Sequence, residues 1–228
     1  MLERMFNYEN PVWQFMNRVA DLLILNLMFL IFSLPIITIG ASYTALTYVT
    51  VKIVRKEDTY VWKEFFTSFK NNFKQATCMW LILIPFILFL TADVVMWFSD
   101  PTVLPKILKV TTVIVIIIVF SIGIYAFPIL SHFDNTVRNT LKNAFLISLI
   151  NIPYTVFFIV VLLLPIVAVY MEPRMMMAFA LIGFSAPALL TAVGWSKIFK
   201  KLEPPKEEEE EVEEDEEDYD EDEEGSEE

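Results

Sequence analysis

The stretch "NRVADLLILNLMFLIFSLPIITIGAS", residues 17–42, decides the class of this protein. It contains one carboxylate, Asp21, and no basic residue after Arg18. The hydrocarbon core of a bilayer is about 30 Å thick and is crossed by roughly 20 helical residues. The stretch therefore predicts a transmembrane helix, and it raises the question of why an acid lies near its start.

Composition extends this interpretation to the whole chain. The 228 residues are 56% hydrophobic and have a mean hydropathy of +0.53, whereas soluble domains are roughly 45 to 50% apolar. The net charge of −12 arises at the C-terminal end, because 18 of the 29 acidic residues lie from Glu207 onward. Residues 1–206 carry 17 basic and 11 acidic residues, so this part of the chain is cationic.

Apolar segments long enough to cross a membrane recur along residues 1–203. We predict an all-α, polytopic membrane domain of six transmembrane helices, followed by an acidic tail at 204–228. The second span is the shortest and is rich in Thr and Tyr. The predicted spans cover about residues 19–37, 38–54, 76–98, 107–131, 145–170 and 175–195.

The basic residues predict the orientation of these spans. The predicted inner segments, counted with Lys52 at the inner end of the second span, hold 14 Lys and Arg residues, and the opposite side has Lys106, Lys109 and Arg174. The positive-inside rule then places both termini in the cytoplasm. Because the outer connections are short, we expect function to lie in the membrane or on the cytosolic face.

An internal repeat predicts how the spans are grouped. When the chain is shifted by 68 residues, segment 71–89 aligns with 139–157, with eight of nineteen positions identical, and Pro85 coincides with Pro153. The spans are therefore predicted to form three tandem helical hairpins. Each proline inside a span frees a backbone carbonyl. That carbonyl is satisfied by neighbouring helices, or the kink lines a solute site.

Four polar residues in or near the spans are candidate functional positions. Asp21 lies one helical turn after Arg18 and either forms an interfacial ion pair with it or belongs to a functional polar site shared with Asn26. Asp93 lies near the outer end of the third span beside Trp97. It is interpreted as an interfacial acid, with a proton-relay residue as the alternative.

The connection "KEDTYVWKEFFTSFKNNFK", residues 56–74, has helical periodicity. Its aromatic residues recur at spacings of 4, 3 and 4, which places them on one face of a helix. This pattern predicts a cytoplasmic amphipathic helix over about 58–74, and residues 1–16 are predicted to lie along the interface in the same way. The face either rests in headgroups or on the bundle, or binds a cytosolic partner. Its members are Trp62, Phe66, Phe69 and Phe73.

The acidic tail has the composition of a disordered segment. It is either solvated, or it contacts a basic partner or the chain's own positive inner face.

Motifs of enzymatic chemistry are not found in the sequence. It has no GxxxxGK[ST], GxSxG or HExxH pattern. The single cysteine, Cys78, and the single histidine, His132, do not form a zinc-binding cluster. No catalytic, cofactor-binding or metal-binding residue is predicted, and no nucleic-acid partner is expected.

The segments "RVADLLILNLMFLIFSLPIITIGASYTALTYV" and "SFKNNFKQAT" resemble the YesL family of uncharacterised bacterial integral membrane proteins. The resemblance covers residues 1 to about 200, and the acidic tail departs from it. It implies a multi-pass protein of the bacterial cytoplasmic membrane. It also implies a genetic context, because such proteins are often encoded beside carbohydrate ABC uptake systems and their regulators.

Two functions of different classes follow. The first is an accessory or regulatory protein of carbohydrate uptake, with an ABC transporter or its regulators as partner. The second is a small transporter with a solute site among the proline-kinked spans.

Overall fold

The computed structural model describes residues 11–57, 59–99 and 105–203, with side chains from residue 16 onward. These residues form helices and short connections, and no strand occurs among them. Two 3-10 turns, Ile36–Thr38 and Pro173–Met175, precede α2 and α7. The helices are α1 (Pro11–Phe32), α2 (Ile39–Arg55), α3 (Val61–Ser99), α4 (Lys106–His132), α5 (Val137–Ile150), α6 (Ile152–Met171), α7 (Met176–Ile182) and α8 (Ser185–Leu202).

The all-α prediction is confirmed for the described residues, and the predicted count of six spans is not. Four helical segments are long and apolar enough to cross a membrane, namely Ile36–Arg55, Val61–Ser99, Lys106–His132 and Ile152–Met171. The pair Pro173–Ile182 and Ser185–Leu202, bent by 58°, makes a fifth if it counts as one span. The acidic tail and residues 1–10 lie outside the described residues.

The α2 helix lies at the centre of the bundle, with α1, α3, α4 and α8 around it. Eleven of its seventeen residues are buried. The buried hydroxyls of Thr44, Thr47 and Thr50 donate hydrogen bonds to carbonyls of the preceding helical turn. A helix surrounded by protein contacts little lipid, which explains why this predicted span is less apolar than the others.

A close approach fixes α2 against α3. A Cβ atom at Gly40 would lie 2.8 Å from the Ala76 carbonyl oxygen and 2.8 Å from Trp80 Cβ. At the other end of the pair, Lys52 forms a 3.3 Å ion pair with Glu64. These contacts make α2 and α3 an antiparallel hairpin.

The structure joins two elements that the sequence predicted separately. The amphipathic helix and the third span form the single 39-residue helix α3, about 58 Å long at 1.5 Å per residue. Its buried residues recur at helical spacing along both halves, so one face packs on the bundle throughout. They are Val61, Phe65, Ser68, Ala76, Met79, Leu83 and Leu90.

The first predicted hairpin is not formed, because α1 crosses the α2–α3 pair. Arg18 reaches the Ile53 carbonyl, near the end of α2. The ring of Phe32, fourteen residues later, packs on Phe65 and Phe69 in the first turns of α3. Both contacts lie toward the same end of the α2–α3 hairpin, whereas a helix antiparallel to α2 would reach its opposite end.

The last two predicted spans are broken helices. Segment 145–170 falls on the end of α5 and most of α6, which meet at Asn151. Segment 175–195 falls on α7 and α8, which meet at Gly183 and Phe184.

Candidate functional site

Asn26 is the predicted polar position with the most complete set of partners. Its side chain is 1% exposed. Its Nδ2 donates a 2.8 Å hydrogen bond to the Ala180 carbonyl oxygen, while Oδ1 accepts from the backbone nitrogens of Phe184 and Ser185 at 3.0 and 3.2 Å. The side-chain amide of Asn26 on α1 thus forms hydrogen bonds with three backbone groups on the two sides of the α7–α8 break.

The break itself is formed at a residue with no side chain. Gly183 donates a 2.7 Å hydrogen bond to the Phe179 carbonyl oxygen. A Cβ atom at Gly183 would lie 2.3 Å from that oxygen and 2.5 Å from the Phe179 ring. In a continuous helix the Ala180 carbonyl would accept from the Phe184 nitrogen. Asn26 bonds both groups separately, which is how an inserted side chain bends a helix.

Arg18 and Asp21 are not joined directly. Arg18 Nη1 lies 3.4 Å from the Ile53 carbonyl oxygen, and no Arg18–Asp21 ion pair within 4.0 Å is formed. Asp21 is partly exposed on the same helix as the buried Asn26. The structure therefore does not bring Asp21 into the hydrogen-bonded group around Asn26, and a functional role for Asp21 stays a prediction.

Asp93 connects α3 to α4. It accepts a hydrogen bond from the hydroxyl of Thr112, which is buried. One turn beyond Asp93, the Lys109 ammonium lies 5.3 Å from the centroid of the Trp97 ring. This end of the α3–α4 pair thus holds an acid, a cation and an aromatic ring together. Whether Asp93 relays protons stays a prediction.

The predicted aromatic face is divided between solvent and the bundle. The side chains of Trp62 and Phe66 are 64% and 47% exposed. Phe69 packs against Phe32, with ring centroids 5.0 Å apart, and Phe73 packs against Phe69 at 5.4 Å. The N-terminal part of this aromatic face is therefore largely exposed, although the Phe66 ring also contacts Phe32 at 6.2 Å, and Phe69 holds α3 against α1.

A cluster of charged groups, which no sequence pattern indicates, lies where α2, α4 and α8 end. Glu203 Oε1 accepts from Arg55 Nη2 at 2.8 Å and contacts His132 Nε2 at 2.6 Å. The His132 ring stacks on Phe199 at 4.6 Å. Burial opposes ionisation of Glu203, but the hydrogen bonds from His132 and Arg55 outweigh it and hold the pKa of this carboxyl below its ordinary value.

An apolar cavity of about 580 Å³ lies between α2, α3, α4 and α6. Its walls include Tyr43, Trp80, Phe120, Gly123 and Leu163. The indole Nε1 of Trp80 donates to the Ile36 carbonyl oxygen at 2.7 Å, so this polar group is already paired. The volume lies within the range of ligand sites in proteins, roughly 300 to 1,000 Å³, but the few polar groups suit an apolar ligand.

The long apolar helices, the buried Thr-rich helix and the apolar cavity define an α-helical membrane protein. Residues 22–94 match the family described as "Protein of unknown function, DUF624". The chain is also 30% identical over 143 residues to "Uncharacterized protein YesL" of Bacillus subtilis (strain 168), covering 61% of this chain and 67% of that protein. This chain therefore belongs to the YesL family. No solved structure matches it.

Proposed function

We propose that this chain is a non-enzymatic accessory or regulatory protein of the bacterial cytoplasmic membrane. In this proposal both termini are cytoplasmic, and the protein binds a component of a carbohydrate ABC uptake system through its inner face. The link to carbohydrate uptake rests on the genetic context that the family resemblance implies. The observation that carries the mode of action is the continuous helix α3.

The α3 helix is long enough to serve two compartments. If its apolar part, residues 76–98, crosses the bilayer, the preceding fifteen residues extend about 22 Å beyond it. In this arrangement α2 lies beside the extension, because Gly40 is packed on Ala76 and Lys52 pairs with Glu64. This extension is held by packing, because Phe65 is fully buried and Phe69 contacts Phe32. It presents Trp62 and Phe66 from a rigid helix, and rigid aromatic side chains are typical anchors of protein interfaces.

The positive charge on the same extension favours binding to an anionic partner. Three lysines are exposed there, and none of them pairs with a carboxylate among the described residues. Lysines without an ion-pair partner beside exposed aromatic residues attract an acidic partner electrostatically. They are also compatible with nearby anionic lipid headgroups. The lysines are Lys63, Lys70 and Lys74.

The decisive experiment replaces the two exposed aromatics, Trp62→Ser and Phe66→Ser, in the full chain. A fully buried apolar side chain contributes roughly 1.5 to 3 kcal/mol, so a docked face should lose most of its affinity. We expect copurification of uptake-system components, measured by quantitative mass spectrometry, to fall at least tenfold while membrane levels hold. The matched control is Phe98→Ser, an aromatic 84% exposed at the opposite end of the same helix.

Two outcomes would contradict the proposal. If uptake components copurify equally with the variant and the wild type, this face is not the binding surface. If the variant disappears from the membrane fraction, Trp62 and Phe66 anchor the protein in the lipid headgroups instead.

The proposed orientation has its own test. Reporter fusions after Asn72 and after Glu203 should behave as cytoplasmic, and a fusion after Ser99 should behave as external. A reversed pattern would place the aromatic extension outside the cell and would exclude a cytosolic partner.

The apolar cavity favours a second function, that of a small transporter. Three of the helices that wall it, α3, α4 and α6, contain a proline inside the helix. Its apolar walls suit an apolar solute better than a sugar. Uptake of a solute into liposomes by the purified protein alone would support this function over the accessory one.

A further inference from the structure

The apolar cavity is a groove, and its two walls differ in how tightly their glycines are packed. On one side, Gly40 lies where a Cβ atom would be 2.8 Å from three neighbouring atoms. On the other side, a Cβ atom at Gly123 would have no atom of the described residues within 4 Å apart from the neighbouring residues and backbone of its own helix. The glycine at 40 is required by helix packing, whereas the glycine at 123 enlarges the groove.

The groove is longer than the hydrocarbon layer of one bilayer leaflet, which is about 15 Å thick. Along α3 its lining runs from Trp80 to Val95, fifteen residues or about 22 Å. The opposite wall is α6, whose Leu163 is 41% exposed although it lines the groove. A groove this long and narrow between apolar helices has the shape of an extended hydrocarbon chain.

Cationic and aromatic groups lie at the outer end of the groove. A second hollow of about 400 Å³ is lined by Trp97, Lys106 and Lys109 together with apolar residues of α4. Its residues Trp97 and Val113 are one helical turn from Val94 and Ile116 of the groove. Lys and Trp beside an apolar channel match a ligand with an apolar chain and an anionic head.

We propose that the groove binds one acyl chain of a membrane phospholipid, with the lipid phosphate beside Lys106 and Lys109. The apolar lining replaces the contacts that the acyl chain would make with other lipids. The two ammonium groups complement the negative charge of the phosphate. The bound lipid fills the space that Gly123 leaves and holds α6 against α3 and α4. This site is independent of the proposed inner binding face.

The first test counts the lipids retained by the purified full-length protein. Native mass spectrometry from mild detergent should show one phospholipid per chain. Gly123→Leu should reduce the retained fraction at least fivefold, because the new side chain occupies the groove. The control is Ile117→Phe, which adds bulk to the same helix at a position 54% exposed and outside the groove, and should retain the lipid.

The second test locates the acyl chain. A variant keeping Trp80 alone among the five tryptophans is reconstituted in phosphatidylglycerol brominated along its acyl chains. Bromine quenches fluorescence on contact, so Trp80 should be quenched, and Gly123→Leu should reduce the quenching at least twofold. A variant keeping Trp195 alone is the reference, because this ring is 1% exposed, does not line the groove and should stay unquenched.

Three results would overturn the proposal. They are a wild-type protein without retained phospholipid, unchanged quenching of Trp80 in Gly123→Leu, and a dimer cross-linked across the groove in place of a lipid. If Gly123→Leu fails to fold, Leu163→Phe narrows the groove from α6 and should lower retention in the same way. Replacing Lys106 and Lys109 by Gln should lower retention severalfold, because the phosphate loses both ammonium partners.

Discussion

Two proline-containing segments of the same internal repeat adopt different structures, one a continuous helix and the other a broken one. Pro85 lies inside the uninterrupted helix α3, whereas Pro153 follows the break at Asn151 that separates α5 from α6. Both prolines lack an N–H and free one carbonyl of the preceding turn. The prolines alone therefore do not explain the difference.

The residues around each proline do explain it. Asn151 and Thr155 occupy the positions of Leu83 and Ile87 in the repeat. Thr155 Oγ1 lies 2.9 Å from the Ser148 carbonyl oxygen and 3.1 Å from that of Asn151, and the Tyr125 hydroxyl lies 2.9 Å from Thr155 Oγ1. A helix breaks in an apolar setting where side chains can satisfy the exposed backbone groups.

The α7–α8 break obeys the same rule with a partner from elsewhere in the chain. Its backbone groups bond to Asn26, more than 150 residues away in sequence. The backbone groups of the α5–α6 break bond to side chains nearby in sequence, whereas those of the α7–α8 break bond to the distant Asn26. The distant partner should be the costlier to lose, because three backbone groups depend on one residue.

The largest effect is expected for Asn26→Leu. It leaves the Ala180 carbonyl and two backbone N–H groups without partners in a buried site. Hydrogen bonds between membrane helices contribute about 0.6 kcal/mol on average and up to about 1.7 each, so we expect a loss of about 2 to 4 kcal/mol. Unfolding in mixed detergent micelles measures it, with the exposed Asn17→Leu as control; equal stability of the two variants would refute the bridging role.

The second largest effect is expected when the break is given the α3 sequence, by Asn151→Leu with Thr155→Ile. The loss of both polar groups should cost about 1.5 to 3 kcal/mol and should straighten the α5–α6 segment. Spin labels at Asn139 and Met171, with Cys78→Ala, report the distance between its ends. The distance should lengthen by several ångströms, and an unchanged distribution would show that Pro153 alone forms the break.

Thr155→Val tests the hydroxyl by itself. We expect a loss of about 1 to 2 kcal/mol, because the one hydroxyl that bridges the Ser148 and Asn151 carbonyls is removed at a position 8% exposed. Thr111→Val is the matched control, since that hydroxyl is exposed and bonds within its own helix. If both variants lose the same stability, the hydroxyl has no special role at the break.

The smallest effect is expected for Glu203→Gln. This change weakens the ion pairs between the ends of α2, α4 and α8 and leaves both helix breaks intact. A partly exposed ion pair contributes about 0.2 to 1 kcal/mol. Because the folded-state pKa of Glu203 is lowered, its contribution is present above pH 4.5 and is lost as the pH falls through the folded value. The stability difference between the wild type and the variant should therefore shrink below pH 4.5, and a difference that grows there would contradict the assignment.

The apolar helices are predictable from the sequence, whereas the packing of one helix on another is less so. Segments 76–98 and 107–131 fall within α3 and α4, because long apolar runs have few alternatives to a helix. The join between the amphipathic segment and the third span was missed, because polarity changes there without a helix-breaking residue. The signal for the α5–α6 break was available in Asn151, which precedes Pro153 and replaces Leu83 of the repeat.

The polar contacts between distant helices could not be predicted. Asn26 was recognised as a polar position, but its partners depend on the place where α1 crosses the bundle. Glu203, Arg55 and His132 are each separated by more than 70 residues. Such contacts follow from tertiary packing, which periodicity and composition of single segments do not report.

The continuity of α3 has a mechanical consequence. Because α3 is continuous from Val61 to Ser99, a tilt of its apolar part also moves its N-terminal end. Membrane helices tilt to match the thickness of the surrounding bilayer. At an arm of about 22 Å, a 10° tilt moves the tip by about 4 Å, comparable to one turn of a helix. Trp62, at the tip, would therefore register changes in bilayer thickness as changes in position.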